Sequence, residues 1–163
     1  MPFGCWKSNP DITAYMKKAN LTTYAQLESL WVTGVIGIAE NLDLSYIVWE
    51  EVFTNGVKVN NETVIDVWKN YGSHKWNETI ANVTKAGYNA ILSAPWYLNY
   101  IEFGVDWPDR YMVEPLNFTG TTEQKNLVIG GSAAMWGEYV DATNILARTW
   151  PSASAVGKAI TRL

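Results

Sequence analysis

The spacing of apolar positions changes partway along the chain, and the change divides it into an all-helical opening and an alternation of short apolar runs with helices. Ser8-Asn9-Pro10-Asp11 reads as a helix entrance: a capping side chain, proline at the first helical position and an acid favoured by the helix dipole. This predicts a helix to about Ala19. Thr23 with Gln26 has the form of a capping box and opens a second helix to about Asn41. Its apolar positions Tyr24, Leu27, Leu30, Trp31, Val35, Ile38 and Leu42 step by three and four, as a buried stripe does. From Leu44 the period is lost. Leu44 to Trp49, Thr63 to Trp68, Tyr88 to Ala94 and Leu127 to Gly131 are short, continuous apolar runs that predict four buried strands. A turn is expected at Asn55-Gly56. A helix is predicted from about Lys75 to Ala86, with Gly87 placed for a left-handed cap. Helical character returns at Ala142 to Leu146 and from Ser152 onward.

Strands without alternation predict a sheet covered on both faces, and strands separated by helices predict parallel pairing through crossovers. The expected class is α/β, with four β/α units forming a small open sheet or half of an eight-stranded barrel, which normally needs about 250 residues. Residues 1–163 are read as one partial domain. The segment from Pro95 to Gln124 is long for a connection and rich in aromatic residues, which marks it as functional.

Composition narrows the chemistry. Apolar residues make up 48% of 163, enough for a core. No apolar run reaches the roughly 18 residues of a membrane span, and the N-terminus shows no signal-peptide core, so neither is expected in this chain. A net charge of −4 without a basic run argues against nucleic acid. One histidine and one cysteine leave no conventional metal site and no disulfide framework, and no cofactor is expected. Five Asn-x-Thr triplets, at Asn20, Asn61, Asn77, Asn82 and Asn117, are candidate N-glycosylation sites and suggest a secretory-pathway protein.

Nine tryptophans stand out further. In parallel sheets and barrels, ligands bind at the carboxyl ends of the strands. Those ends carry Trp49 with Glu50 and Glu51, then Trp68, then Pro95-Trp96-Tyr97, then Trp136 with Glu138. Aromatics from four consecutive strands on one rim would form a cup suited to a sugar, whose C–H face stacks on rings while polar tips take the hydroxyls.

At these positions the sequence resembles a known family. YIVWEEVF (46–53), VIDVW (64–68), LSAPWYLN (92–99), VEPLNF (113–118) and IGGSAAMWGEYVDATN (129–144) are similar to the C-terminal half of the catalytic barrel of animal β-N-acetylhexosaminidases, glycoside hydrolase family 20. CWKSNP (5–10) resembles the stretch that follows the family's catalytic Asp-Glu pair. The resemblance implies a partial (β/α)8 TIM barrel, about its last four units. It also implies retaining hydrolysis of terminal N-acetylglucosamine or N-acetylgalactosamine, with the substrate's own acetamide as nucleophile.

By resemblance, Trp49, Trp68 and Trp136 enclose the acetamide and the ring. Tyr97 hydrogen-bonds the acetamide oxygen, and Asn99 and Glu138 hold sugar hydroxyls. The general acid belongs to a His-x-Gly-Gly-Asp-Glu motif that this chain does not contain, and Glu50, Glu51 and Glu138 do not stand in it. The chain is therefore expected to be inactive alone, with a lysosomal or secreted parent that forms a homo- or heterodimer. A non-catalytic amino-sugar-binding fragment, or a truncated duplicate, is the alternative. Ser132 and Ala134 replace a glutamate and a cysteine common in the family, and Cys5 resembles a cysteine whose disulfide partner lies upstream.

Overall fold

The computed structural model describes residues 3–163 and falls into two compact units, the first running to Tyr46 and taking in 51–60, the second made of 47–50 and 61–163. The first contains α1 (Phe3–Lys7), α2 (Pro10–Lys18) and α3 (Tyr24–Asn41). Both predicted helix starts hold. Asn9 Oδ1 accepts from the N–H groups of Asp11 and Ile12, and the Thr23–Gln26 capping box closes over the start of α3. Phe3, Trp6 and Tyr24 gather within 5.7–6.5 Å of one another, and Asn55 Nδ2 donates to the buried Glu28 at 2.7 Å.

One expectation fails here. The α3 stripe is not buried: Leu30, Val35, Ile38 and Leu42 are exposed and Trp31 is 66% exposed, whereas Glu28 and Val32 are the residues turned inward. Periodicity correctly identifies an apolar face, but burial needs a second surface against it, and the described residues of this unit supply none.

The second unit is built on one sheet of four parallel strands in sequential order, β1 (Ile47–Trp49), β2 (Val64–Val67), β3 (Asn89–Leu92) and β4 (Val128–Gly131). Each lies inside a predicted run and is shorter than it. After β1 comes α4 (Glu50–Thr54), which apart from Glu50 belongs to the first unit; the later connections carry α5 (Trp76–Lys85), α6 (Trp107–Met112) and α7 (Thr122–Lys125), followed by α8 (Ile145–Thr149) and α9 (Ser152–Ile160). Gly56 and Gly87 take positive φ, at the expected turn and the expected cap. The helix placed at Ala142 to Leu146 begins later, at Ile145, because Asp141 and Asn144 hold residues 141–144 in a side-chain-bonded turn.

The register sorts the strand residues by face, since alternate residues point to opposite sides. Ile65 and Val67, with their partners Ala90 and Leu92, and then Val128, are buried on one face, beneath Ile80, Val83 and Thr84 of α5. The opposite face carries Ile47, Trp49, Asp66 and Ile91, and there Ile47 and Trp49 are exposed. The expectation of two covered faces, and of a buried first strand, is therefore corrected. Within this unit α5 packs on one side, and among the described residues Ile47 and Trp49 stay open on the other. The other is the side a closed barrel would turn into its lumen, and four strands cannot enclose a lumen that eight are needed to close.

Candidate functional site

The carboxyl ends of the strands are extended by backbone pairing into a structured rim. Ser93 and Ala94 N–H donate to the Val67 carbonyl at 2.9 Å, and Ser132 N–H donates to the Leu92 carbonyl at 3.0 Å. Ala134 N–H then donates to the Trp96 carbonyl at 2.9 Å and Leu98 N–H to the Ala134 carbonyl at 2.8 Å, making a parallel bridge between Tyr97 and Ala134. This fixes where the side chains beyond β3 and β4 emerge.

Three of the predicted aromatics meet on that rim. Trp49 and Trp68 stand edge to face with centroids 6.2 Å apart, and Trp68 lies 6.3 Å from Tyr97. Two rings that sequence reasoning did not place in the site extend the row: Tyr100 stacks on Tyr97 at 5.7 Å, and Tyr71 lies 6.2 Å from Trp68 with His74 against it. Trp136 follows the bridge to Ala134 by two residues and is 48% exposed, without ring contact to the row among the described residues. Glu138 is exposed on the next turn. That turn is set by Asp141, whose carboxylate accepts from Thr143, and by Asn144 Nδ2, which donates to the Tyr139 carbonyl at 3.0 Å. The Thr143 bonds hold the Asp141 carboxyl below its ordinary pKa.

Trp96, expected on the rim, is instead wholly buried, its Nε1 donating to the Arg110 carbonyl at 3.1 Å. The residues of Pro95-Trp96-Tyr97 thus divide, one ring into the core and the next into the row. Asn99 is 3% exposed, and its buried Oδ1 accepts no hydrogen bond among the described residues. Arg148 secures the segment around it by donating to the carbonyls of Leu98 and Tyr100, and it faces Asp106 at 3.8 Å. The long connection is therefore a pinned structure: Arg110 pairs with Glu102 at 2.9 Å, and Arg162 donates to the Tyr111 carbonyl while lying over its ring.

Two acids organise the floor. Glu50, at the end of β1, is buried, and its Oε2 accepts from the backbone N–H groups of Trp68 and Lys69 at 3.0 and 3.2 Å. Lys69 Nζ lies 3.9 Å from its other oxygen and 5.5 Å over the Trp68 ring. Glu50 thus ties the end of β1 to the end of β2 and fixes Trp68. Asp66, on the open face, bonds Ser93, and the Ser93 hydroxyl is 2.7 Å from that of Ser132. Burial raises the Asp66 carboxyl above its ordinary 3.8, only partly offset by the Ser93 bond, and its Oδ1 takes no partner among the described residues.

A raised carboxyl binds its proton more tightly folded than unfolded. Stability is therefore fully present below the unfolded value and declines as pH rises through the folded one. Asp66→Asn should raise the denaturation midpoint at pH 7 and flatten its fall between pH 3.8 and neutrality. Midpoints that fall with pH as steeply in the variant would refute this assignment.

All five asparagines of the Asn-x-Thr triplets are exposed, and no described helix is long and apolar enough to cross a membrane.

Comparison with known proteins places this architecture. Residues 1–160 match the catalytic domain of glycosyl hydrolase family 20. The chain is 52% identical over 156 residues to mouse beta-hexosaminidase subunit alpha, and 49% identical over 157 residues to rat beta-hexosaminidase subunit beta. Each match takes in 96% of this chain, which spans 30% and 29% of those relatives. Among solved structures it is similar to Flavobacterium johnsoniae chitobiase, with a TM-score of 0.79 and 23% identity over 97% of this chain and 24% of that one. It is also similar to the exo beta-N-acetylglucosaminidase of Vibrio harveyi, solved in complex with N-acetylglucosamine, with a TM-score of 0.78 and 24% identity over 98% and 26%. Four parallel strands with their helices are thus a part of a TIM barrel, and the chain belongs to glycosyl hydrolase family 20.

Proposed function

We propose that this chain supplies the sugar-holding side of a β-N-acetylhexosaminidase site acting on glycans that end in N-acetylglucosamine or N-acetylgalactosamine. The observation that carries the reading is the row Trp49–Trp68–Tyr97 at the ends of three consecutive strands. Its ring faces stack on the apolar side of a hexose and on an acetamide methyl. Tyr97 donates its hydroxyl to the acetamide oxygen, which is the nucleophile of a retaining, substrate-assisted reaction, and steadies the oxazolinium-like intermediate. Holding the acetamide removes its rotational freedom and aims it at the anomeric carbon. Trp136 closes the acetamide side, and Asn99 and Glu138 take hydroxyls. The buried, unmet Oδ1 of Asn99 supports a polar partner there.

Protonation of the leaving group, a contribution of about 10²–10⁴-fold, falls to an Asp-Glu pair supplied from outside residues 1–163. The chain alone therefore holds the sugar without cleaving it. The parent acts in a lysosomal or secreted setting, which the exposed asparagines of the Asn-x-Thr triplets support, and assembles as a dimer, which likeness to alpha and beta subunits supports.

N-acetylglucosamine should quench the tryptophan fluorescence of this chain saturably, and Trp68→Ala should weaken the half-saturation point by about tenfold. A chromogenic N-acetylglucosaminide should be left intact unless the preceding half of the barrel is added. Absence of quenching would refute the sugar-holding reading, and turnover by the chain alone would refute the external acid.

A further inference from the structure

N-glycosylation joins an oligosaccharide to an asparagine amide, and the acceptor needs a hydroxyl two residues on that can be presented with that amide. Exposure of the asparagine does not rank the five triplets, because all five are exposed. The hydroxyl does. Asn77–Thr79 and Asn82–Thr84 lie inside α5 (Trp76–Lys85), where residues two apart point about 200° away from each other. Thr79 donates back to the Lys75 carbonyl. Thr84 is 2% exposed and donates to the Ile80 carbonyl at 2.8 Å, so the pair cannot be presented while α5 stands. Behind Asn61, Thr63 is 1% exposed. Behind Asn20, the Thr22 hydroxyl is engaged with Gln26 Oε1 at the start of α3.

Asn117-Phe118-Thr119 differs on every count. It lies in the irregular stretch between α6 and α7, and both Asn117 and Thr119 are exposed. Neither side chain is engaged in a hydrogen bond among the described residues. The intervening Phe118 is buried and anchors the turn, while the Asn117 and Phe118 N–H groups donate to the carbonyls of Glu114 and Leu116. Thr119 borders an open depression of about 300 Å³ shared with Asn77, Glu78, Ala81 and Asn82.

We propose that Asn117 is the N-glycan acceptor presented by the folded chain, and that Asn77 and Asn82 become closed to modification once α5 has formed. The donor is a lipid-linked diphospho-oligosaccharide. The Asn117 amide nitrogen forms a bond to the sugar C1 and gives up one proton. The bond from C1 to the diphosphate oxygen breaks, and the lipid diphosphate leaves with the electron pair; nothing is oxidised or reduced.

The test offers the folded chain to oligosaccharyltransferase membranes with that donor, alongside synthetic peptides centred on each asparagine, and locates the modification by mass spectrometry of the digest. In the folded chain Asn117 should be modified at least about a hundredfold faster than Asn82 or Asn77, the factor by which opening α5 suppresses them. Among the peptides the rates should agree to within about tenfold. Asn117→Gln should remove the fast modification. Equal rates at Asn82 and Asn117 in the folded chain, or no modification at Asn117 while the peptides accept, would overturn the proposal. The sugar-holding reading stands or falls on fluorescence and is untouched by either result.

Discussion

Trp96→Ala is expected to lower the unfolding free energy of the sheet-bearing unit by about 3–5 kcal/mol, measured as a shift in the urea midpoint at unchanged slope. The ring is fully buried, so the substitution loses its transfer energy and leaves a cavity that surrounding strands cannot collapse into. It also takes away the donor that reaches the Arg110 carbonyl. The packing around it is tight enough to be tested from the other side. A Cβ added at Gly131 would stand 2.4 Å from Trp96 Cζ3 and 2.7 Å from the Leu92 carbonyl oxygen, so Gly131→Ala should also destabilise, by overpacking. Because both substitutions strain one contact, their effects should not add, and Trp96→Ala should relieve part of the cost of Gly131→Ala. A loss below about 1 kcal/mol for Trp96→Ala would mean that the ring is not the keystone of this unit.

The contrast between Trp96 and its neighbour shows what is legible in a sequence. Local signals are: Asn9, the Thr23–Gln26 box and Gly87 each act within one turn of backbone, and each stands where its chemistry requires. The same box recurs at Thr121 with Gln124, where it opens α7, an equally local signal. Burial is not local. The stripe on α3 and the residues Ile47 and Trp49 carry the pattern of covered surfaces, yet what covers a surface lies elsewhere in space, and periodicity is silent about it. Past the end of β3 the chain leaves regular alternation, so nothing in Pro95-Trp96-Tyr97 tells which ring turns to the core. The aromatic row itself was legible because strand ends in parallel sheets share a rim. Its extension through Tyr71 and Tyr100 was not, because those residues follow the strands by irregular turns.

Glu50 is the residue whose role sequence reasoning missed most fully, and its substitution should matter as much as that of Trp96. Read in the sequence as one of several acids near a sugar site, it is instead the buried acceptor for two backbone N–H groups on the neighbouring strand end. Glu50→Ala removes that acceptor from both, together with the charge opposite Lys69, and should cost about 3–5 kcal/mol. Glu50→Gln keeps an oxygen for the N–H groups and gives up the charge, whose pairing with Lys69 at 3.9 Å is loose, so it should cost less, about 1–2 kcal/mol. Urea midpoints of the two variants decide which feature dominates: equal losses would assign the stabilisation to the ion pair, and a clear gap assigns it to the N–H groups. The consequence reaches the site, because the N–H of Trp68 is one of the two. If Glu50 holds that ring against Trp49 and Tyr97, the glutamine variant should still show quenching by N-acetylglucosamine, whereas the alanine variant, studied below its unfolding midpoint, should lose it along with the order of the row.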